Sequence, residues 1–411
     1  MSQEPWKSKD WFVSPWNFAS EVTKDFKFPK KVKFHDITLR DGEQQTGVIF
    51  NKEDKIKIAE GLAEAGVQRI ETGMPVVSPS DAAAIKEIVK RNLGPQIFAF
   101  ARCMVDDVKR AVDCGVSGVV MEVPSSTHIL EYAYKWPLQK AIDLSIESTA
   151  YAHSQGLEVV FFPIDFTRAE IKWVLDLITR VATEGHMDAL ALVDTFGVLS
   201  PSAVQYLVRQ VKARISKPLE AHFHMDFGMG VANTVMAVAE GVEVVHSTVL
   251  GLGERAGNTP MEETALALRT MYGVDTGLKY DKLYSLAKLV EKLSGASVPK
   301  NRPVVGDWLF DIESGIIASW YQNCNEDNPT ELFPFRPEFV GHPAAKTVFG
   351  KGSGIDPIKN ALTSKGIKFT NEEAMSVLNA VKEFSLRHKR LLTDQELDTV
   401  IASVFPAVSA K

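Results

Sequence analysis

His222 and His224 stand two residues apart, at the end of a short run, Leu219–Ala221, that follows Pro218. In an extended chain, residues i and i+2 share a face, so the two imidazoles point the same way. Imidazole is the commonest side-chain metal ligand near neutral pH, and a pair of them makes half of a divalent-metal site. The alternative is a pair that only hydrogen-bonds to itself or to nearby backbone. An acidic partner is available in Asp36-Ile37-Thr38-Leu39-Arg40-Asp41-Gly42-Glu43-Gln44. Asp36 or Asp41, with the two histidines, supplies a mixed nitrogen and oxygen set that leaves positions open for water and substrate. Such a set suits Mg2+, Mn2+ or Zn2+ acting as a Lewis acid on a carbonyl or 2-oxo acid. Arg40 is of the type that stabilises an enolate or developing alkoxide, and Thr195 and His128 could hold a carboxylate or hydroxyl. The plain alternatives are that Asp36 caps a turn, Arg40 joins an ion-pair network and Thr195 satisfies a backbone group.

Those residues need elements to bring them together, and the chain has a regular rhythm. Strand-like runs occur at Val32–Ile37, Val67–Thr72, Ile97–Arg102, Gly118–Val123, Leu157–Pro163, Ala189–Thr195, Leu219–His224 and Val242–Val249. Helical periodicity fills the gaps, from Lys52–Ala65 through to Met261–Met271. Eight strand–helix pairs of roughly thirty residues predict an α/β (β/α)8 TIM barrel; a doubly wound sheet usually stops at about five or six strands. In such a barrel the site lies at the carboxyl ends of the strands. Asp36–Gln44, Glu71, Arg102, Glu122–His128, Asp165–Arg168, Asp194-Thr195, His222–Asp226 and Gly251–Asn258 all fall there. The expected organisation is an N-terminal arm (1–30), the barrel (31–300) and small, mostly helical linker-type subdomains (301–411). His35 and His246 read as packed or core imidazoles, and Gly251 and Gly253 as turn glycines, since their spacing does not match a dinucleotide loop. Trp6, Trp11 and Trp16 of the arm could pack on a partner subunit or on the barrel's bottom.

Composition narrows the classes of function. The chain has 411 residues, 45% hydrophobic and 24% charged, with a net charge of −6 and no long basic run. Binding to nucleic acid or a membrane surface therefore has no electrostatic support. Cys103, Cys114 and Cys324 have neither disulfide nor zinc-ribbon spacing, which suits a reducing cytoplasm. Residues 1–30 lack the apolar core of a signal peptide, and no run approaches the ~20 apolar residues of a membrane span. The expectation is a soluble cytoplasmic enzyme.

The Asp36–Gln44 segment, His222-Phe223-His224-Met225-Asp226-Phe227-Gly228 and Gly253-Glu254-Arg255-Ala256-Gly257-Asn258 together resemble the DRE-TIM metallolyase superfamily. The similarity is greatest to its 2-isopropylmalate, homocitrate and citramalate synthases, over roughly residues 31–300. Asp307–Gly315, Thr347–Gly354 and Phe369–Val404 also look like the linker subdomains that follow the synthase barrel. The separate C-terminal feedback domain is expected to be absent. By matched position the resemblance implies Asp41, His222, His224 and Asn258 at a divalent metal, and Arg40, Glu71 and Thr195 as catalytic residues. Gln44, Arg102, His128 and Thr195 would meet substrate. The implied reaction is a Claisen-type condensation: the methyl of acetyl-CoA is deprotonated, attacks a 2-oxo acid, and the thioester is hydrolysed. A homodimer whose linker subdomains reach the neighbouring active site is also implied.

Two positions depart from the synthase pattern. The Glu-Asp pair after strand five is Ile164-Asp165 here, and the His of the linker Ser-Gly-Ile-His segment is Ile317. Gly352 likewise stands where some synthases carry a further His. An isoleucine neither accepts a proton nor orients water, so the acid/base group must lie elsewhere. His342, Tyr321, Asp165 and Glu313 are candidates. A second reading is thus a metal-dependent carbon–carbon lyase acting on a hydroxy acid or its CoA thioester. However, 3-hydroxy-3-methylglutaryl-CoA lyases carry a Cys in the loop after strand eight, which this chain lacks. A third reading, a catalytically dead barrel that serves as a binding partner, conflicts with the intact Arg-Asp, His-x-His and Asn set.

Overall fold

Eight short β-branched and aromatic runs form strands β1 Lys33–Asp36, β2 Arg69–Glu71, β3 Gln96–Arg102, β4 Gly118–Pro124, β5 Glu158–Ile164, β6 Ala189–Asp194, β7 Leu219–Phe223 and β8 Val244–Ser247. In the computed structural model, which describes residues 4–324 and 328–405, all eight pair in parallel. They close into a barrel where β8 returns to β1, with His35 opposite His246. Helices follow each strand, beginning with Lys52–Glu64 and ending with Met261–Tyr272. This is the (β/α)8 TIM barrel that the rhythm of the sequence predicts. Strands β3–β6 are mostly Val, Ile, Leu, Phe and Ala because both of their faces are buried, one by helices and one by the barrel interior, whereas β1, β2 and β7 bring buried polar residues inside. Helix starts are written locally. Asn51 and Asp54 form a reciprocal capping box, and Ser78 caps a helix that opens on Pro79.

Two local features differ from the expected pattern. Strand β7 ends at Phe223, and His224 leaves it to form an isolated antiparallel bridge with Asn258. The segment after β4 contains a π-helical turn, Ile129–Tyr134, which closes on Lys135 in a left-handed conformation. A π-turn has no hydrophobic period to betray it, and such turns concentrate at functional sites.

The chain divides into two compact units. One comprises residues 15–298, the barrel with its preceding segment, and the other residues 4–14 with 299 onward. In the second unit β9 Asp311–Ile312 pairs in parallel with β10 Lys346–Thr347. The helices Ile355–Ser364, Asn371–His388 and Asp394–Val404 enclose a small core that includes Leu362, Val377, Val381 and Leu397. Trp11 packs within this unit, its ring 5.5 Å from that of Phe339. Among the described residues, no helix is long and apolar enough to cross a membrane.

Candidate active site

The loop after β1 is shaped first by Asp36. Its carboxylate accepts hydrogen bonds from the Thr38 N–H (2.9 Å) and hydroxyl (2.9 Å), so it turns the chain rather than joining the histidines. That answers the choice between Asp36 and Asp41. Burial raises the Asp36 carboxyl to about 7, against the pull of its Thr38 hydrogen bonds. The folded protein then holds this proton where the unfolded chain has lost it, so stability falls as pH rises from about 4 to about 7. Asp36→Asn is expected to flatten that slope, which at about 1.4 kcal/mol per pKa unit amounts to about 4 kcal/mol for the rise from 3.8 to about 7. Thermal melts from pH 4 to 8 check it; a variant with the wild-type slope would contradict it.

Beyond the turn, Arg40 and Asp41 enter the barrel mouth. Asp41 lies 3.7 Å (Oδ2) from His222 Nε2, and the Nε2 atoms of His222 and His224 are 3.3 Å apart. All three residues are buried, with ligand atoms within 4.8 Å of one another. Two ligands at about 2.1 Å from one ion stand about 3.0–3.4 Å apart, so the imidazole pair is spaced for a shared metal. The His224 Nδ1 hydrogen-bonds the Gly257 carbonyl at 3.1 Å. This leaves Nε2 free to coordinate, as an outer partner does in metal sites. Burial depresses both imidazoles, His222 strongly, so they stay neutral and offer lone pairs. Burial alone would raise the Asp41 carboxyl, but the Arg40 guanidinium and the Asn258 amide hold it well below the usual carboxylate range.

Asn258 completes the cluster from the β8 loop. Its Nδ2 donates to Asp41 Oδ1 (2.8 Å), and its buried Oδ1 has no hydrogen-bond partner. An orphaned buried carbonyl oxygen costs free energy unless something fills the place beside it, and a hard cation fits that need. The approach depends on glycine. Gly253 and Gly257 have positive φ, and a Cβ at either would collide, at Gly253 with the Asn258 amide and at Gly257 with the Gly251 carbonyl.

Arg40 lies over the Phe100 ring (4.0 Å to the centroid). Its Nε donates to Glu71, its Nη1 to Asp41 (2.6 Å) and, more weakly, to Gln44 (3.5 Å). Its buried Nη2 has no partner and is free to receive a substrate oxygen. The predicted residues therefore fall into three groups. Arg40, Asp41, Glu71, Gln44, His222, His224 and Asn258 form one cluster. His128 and Thr195 meet a short way along the rim at Asp165: His128 Nε2 lies 3.0 Å from its carboxylate, and Thr195 Oγ1 accepts the Asp165 N–H at 2.8 Å. Arg102 stands apart, its guanidinium bidentate on Asp107 (2.7 and 3.0 Å).

The candidate replacement bases are engaged elsewhere. The Asp165 carboxylate is bound by Ser126 (2.6 Å) and by both Arg168 nitrogens (2.7 and 3.0 Å) as well as by His128. Both His342 nitrogens lie 3.1 Å from backbone carbonyls, and Glu313 accepts the Gly352 N–H at 2.7 Å. Sequence reasoning gave no role to the rim clamp. There Arg255 pairs with Asp226 (2.9 Å), and Arg168 and Arg255 both lie over Phe196. It also gave none to Glu220, which with His35 and His246 forms a second buried cluster deeper in the barrel. Arg69 already neutralises Glu220 (2.6 Å), His246 Nε2 bonds it at 2.7 Å, and the His35 and His246 rings lie tilted with centroids 4.6 Å apart. This group is a polar core layer beneath the site, and alternation in β1, β7 and β8 was the signal that could have found it.

Fold and site together define a TIM-barrel enzyme whose mouth carries a buried Asp-His-His cluster that could hold a metal ion, beside a buried arginine. Residues 31–290 match the HMGL-like family model, and the chain belongs to that family. It is 37% identical over 394 residues to the homocitrate synthase AksA of Methanothermobacter thermautotrophicus, spanning 96% of this chain and 98% of the relative. It is 34% identical over 395 residues to the 2-isopropylmalate synthase of Methanocaldococcus jannaschii, spanning 95% and 75%. Among solved structures, the HMG-CoA lyase of Bacillus subtilis superposes with a TM-score of 0.60 at 25% identity, covering 66% of this chain and 96% of the lyase.

Proposed function

We propose that this protein is an acyltransferase that condenses acetyl-CoA, or a similar acyl-CoA, with a 2-oxo acid and releases free CoA, in the manner of the 2-isopropylmalate, homocitrate and citramalate synthases. One observation carries the choice over cleavage. Likeness to the synthases runs through both compact units, over 95–96% of the chain, whereas likeness to the lyase stops at 66%.

In this reading Asp41, His222, His224 and Asn258 hold a divalent metal. When bound, it supplies Lewis-acid polarisation of a carbonyl. The other steps belong to side chains. Arg40 directs its open Nη2 at the oxygen that gains charge, while Glu71 and Asp41 fix the guanidinium so that no reorganisation is needed as charge develops. Glu71 is buried, which raises its own pKa, and the Arg40 cation beside it opposes that rise. Thr195 keeps its hydroxyl hydrogen for a substrate carboxylate, because its oxygen already accepts the Asp165 N–H. The reading includes a cytoplasmic location, where acyl-CoA is supplied, and a homodimer. Large apolar side chains lie exposed along the segments that follow the strands: Ile49, Val77, Tyr132, Ile171, Val198 and Phe227. A rim of this kind marks an interface, and a second copy of the chain would cover it.

The test is a panel of 2-oxo acids with acetyl-CoA and Mg2+, Mn2+ or Zn2+, following free thiol. CoA release with at least one acid is expected, from a species of twice the 45.4 kDa chain mass by light scattering. No release with any acid, together with carbon–carbon cleavage of a 3-hydroxyacyl-CoA, would replace condensation by the lyase reaction.

A further inference from the structure

If the condensation reading holds, a proton must leave the acyl-CoA methyl, yet the carboxylate that the synthase pattern places after β5 is Ile164 in this chain. We propose that Glu122 of β4, held by Tyr134, is the catalytic base that takes this proton. The inference rests on the condensation reading and adds to it a residue that the resemblance does not assign.

Strands β4 and β5 pair over seven residues, with Pro124 opposite Ile164 and Glu122 opposite Phe162. Paired residues on neighbouring strands share a face. Phe162 faces the barrel interior, its ring 4.8 Å from that of His222 and 5.6 Å from that of Phe100. Glu122 therefore projects into the same interior, one strand over and one pair below the site of the lost carboxylate. It is also paired in register with Arg102 on its other side.

The surroundings suit a base. Arg102, Glu122, Tyr134 and Trp136 line a cavity of about 70 Å³, together with Cys103 and Pro124. That is room for one or two waters or a two-carbon unit. Tyr134 Oη donates to Glu122 Oε1 at 3.3 Å, and Tyr134 is carried there by the π-helical turn Ile129–Tyr134. Arg40 and Arg102 both act on the carboxylate electrostatically, and Phe162, opposite Glu122 in the sheet, lies under the Arg40 guanidinium (5.8 Å to the ring centroid). Burial raises the Glu122 carboxyl while Tyr134 and the two arginines pull it back, which moves it toward the pH at which a general base works best.

The step balances without any further reagent. The methyl C–H bond breaks, its proton passes to the Glu122 carboxylate, and its electron pair becomes the enolate. The enolate carbon bonds to the oxo carbon, whose π electrons become an alkoxide, and that alkoxide takes up one proton. Tyr134 orients the carboxylate and is a positioning residue.

The experiment compares Glu122→Gln and Tyr134→Phe with the wild-type enzyme on whichever oxo acid the panel identifies. For Glu122→Gln, kcat is expected to fall by about 10²–10⁴-fold, the range of general-base catalysis, with metal content and both KM values within threefold of wild type. Exchange of the acetyl-CoA methyl protons with D2O, read by NMR, falls in parallel. Tyr134→Phe loses the donor that stabilises the carboxylate, so the acid limb of the kcat–pH profile moves to higher pH, an effect that a merely structural tyrosine would not have. A Glu122→Gln enzyme that keeps kcat and methyl exchange within threefold would overturn the proposal, as would an unmoved limb in a well-folded Tyr134→Phe. Either result leaves the condensation reading standing, whereas a wild-type enzyme that releases no CoA removes that reading itself.

Discussion

Alanine at His222 or His224 leaves a folded barrel that binds no stoichiometric divalent metal and turns over about 10³-fold more slowly or worse, since loss of even an outer-sphere partner costs about 10–100-fold. The size of the effect follows from how few groups converge. Asp41 and two neutral imidazoles lie within 4.8 Å of one another, with the Asn258 amide beside Asp41, so losing one imidazole removes a third of the Asp-His-His set. The fold should survive. His222 makes ring contacts with Phe162 and His246, and its Nδ1 bonds to nothing, so its removal costs packing and the single contact of its Nε2 with His224. Metal analysis after gel filtration, beside circular dichroism of the apo forms, decides the matter. One equivalent of metal retained in both variants would show that the pair is not the ligand set.

Arg40→Lys comes next in size, with kcat expected to fall by about 10²–10³-fold, as for loss of one preorganised donor to a developing oxyanion. The guanidinium does three things at once. It neutralises Glu71 through Nε and Asp41 through Nη1, and it leaves Nη2 pointing into the site. An ammonium is a single point on a flexible stem and cannot span these partners. Its charge still offsets the two buried carboxylates, so Arg40→Lys should melt near wild type. Arg40→Ala leaves them uncompensated and should lose about 3–5 kcal/mol. Steady-state kinetics and thermal melts of the pair separate the roles. A lysine enzyme within threefold of wild-type kcat would mean that charge alone suffices.

The barrel was legible because its physics is local and repetitive. Most strands are apolar or β-branched runs buried on both faces, and several helices carry their own caps, so the pattern survives in one dimension. The convergence of Asp41, His222, His224 and Asn258 was legible for a related reason. Alternation puts His222 and His224 on one face, and the strand-end rule puts Asp41 and Asn258 on the same rim. Less could be read where a residue's meaning depends on a partner far away in sequence. Nothing near Asp165 reveals that Ser126 and His128 reach its carboxylate, nor does anything near His342 reveal that the Gly306 carbonyl lies at its Nε2.

By itself, then, the sequence determined an eight-fold barrel with an Asp-His-His-Asn rim, an arginine beside it, and two isoleucines where acid/base groups are expected. Those properties follow from period, residue type and order along the chain. Only the tertiary structure decided that Asp36 shapes a turn while Asp41 faces the histidines, and that Asn258 keeps an open oxygen. It alone set Glu122 beside Phe162, with Tyr134 brought over it by a π-turn. Closing the barrel makes neighbours of strands by register, and register depends on how the whole sheet twists and closes, which no local stretch of sequence records.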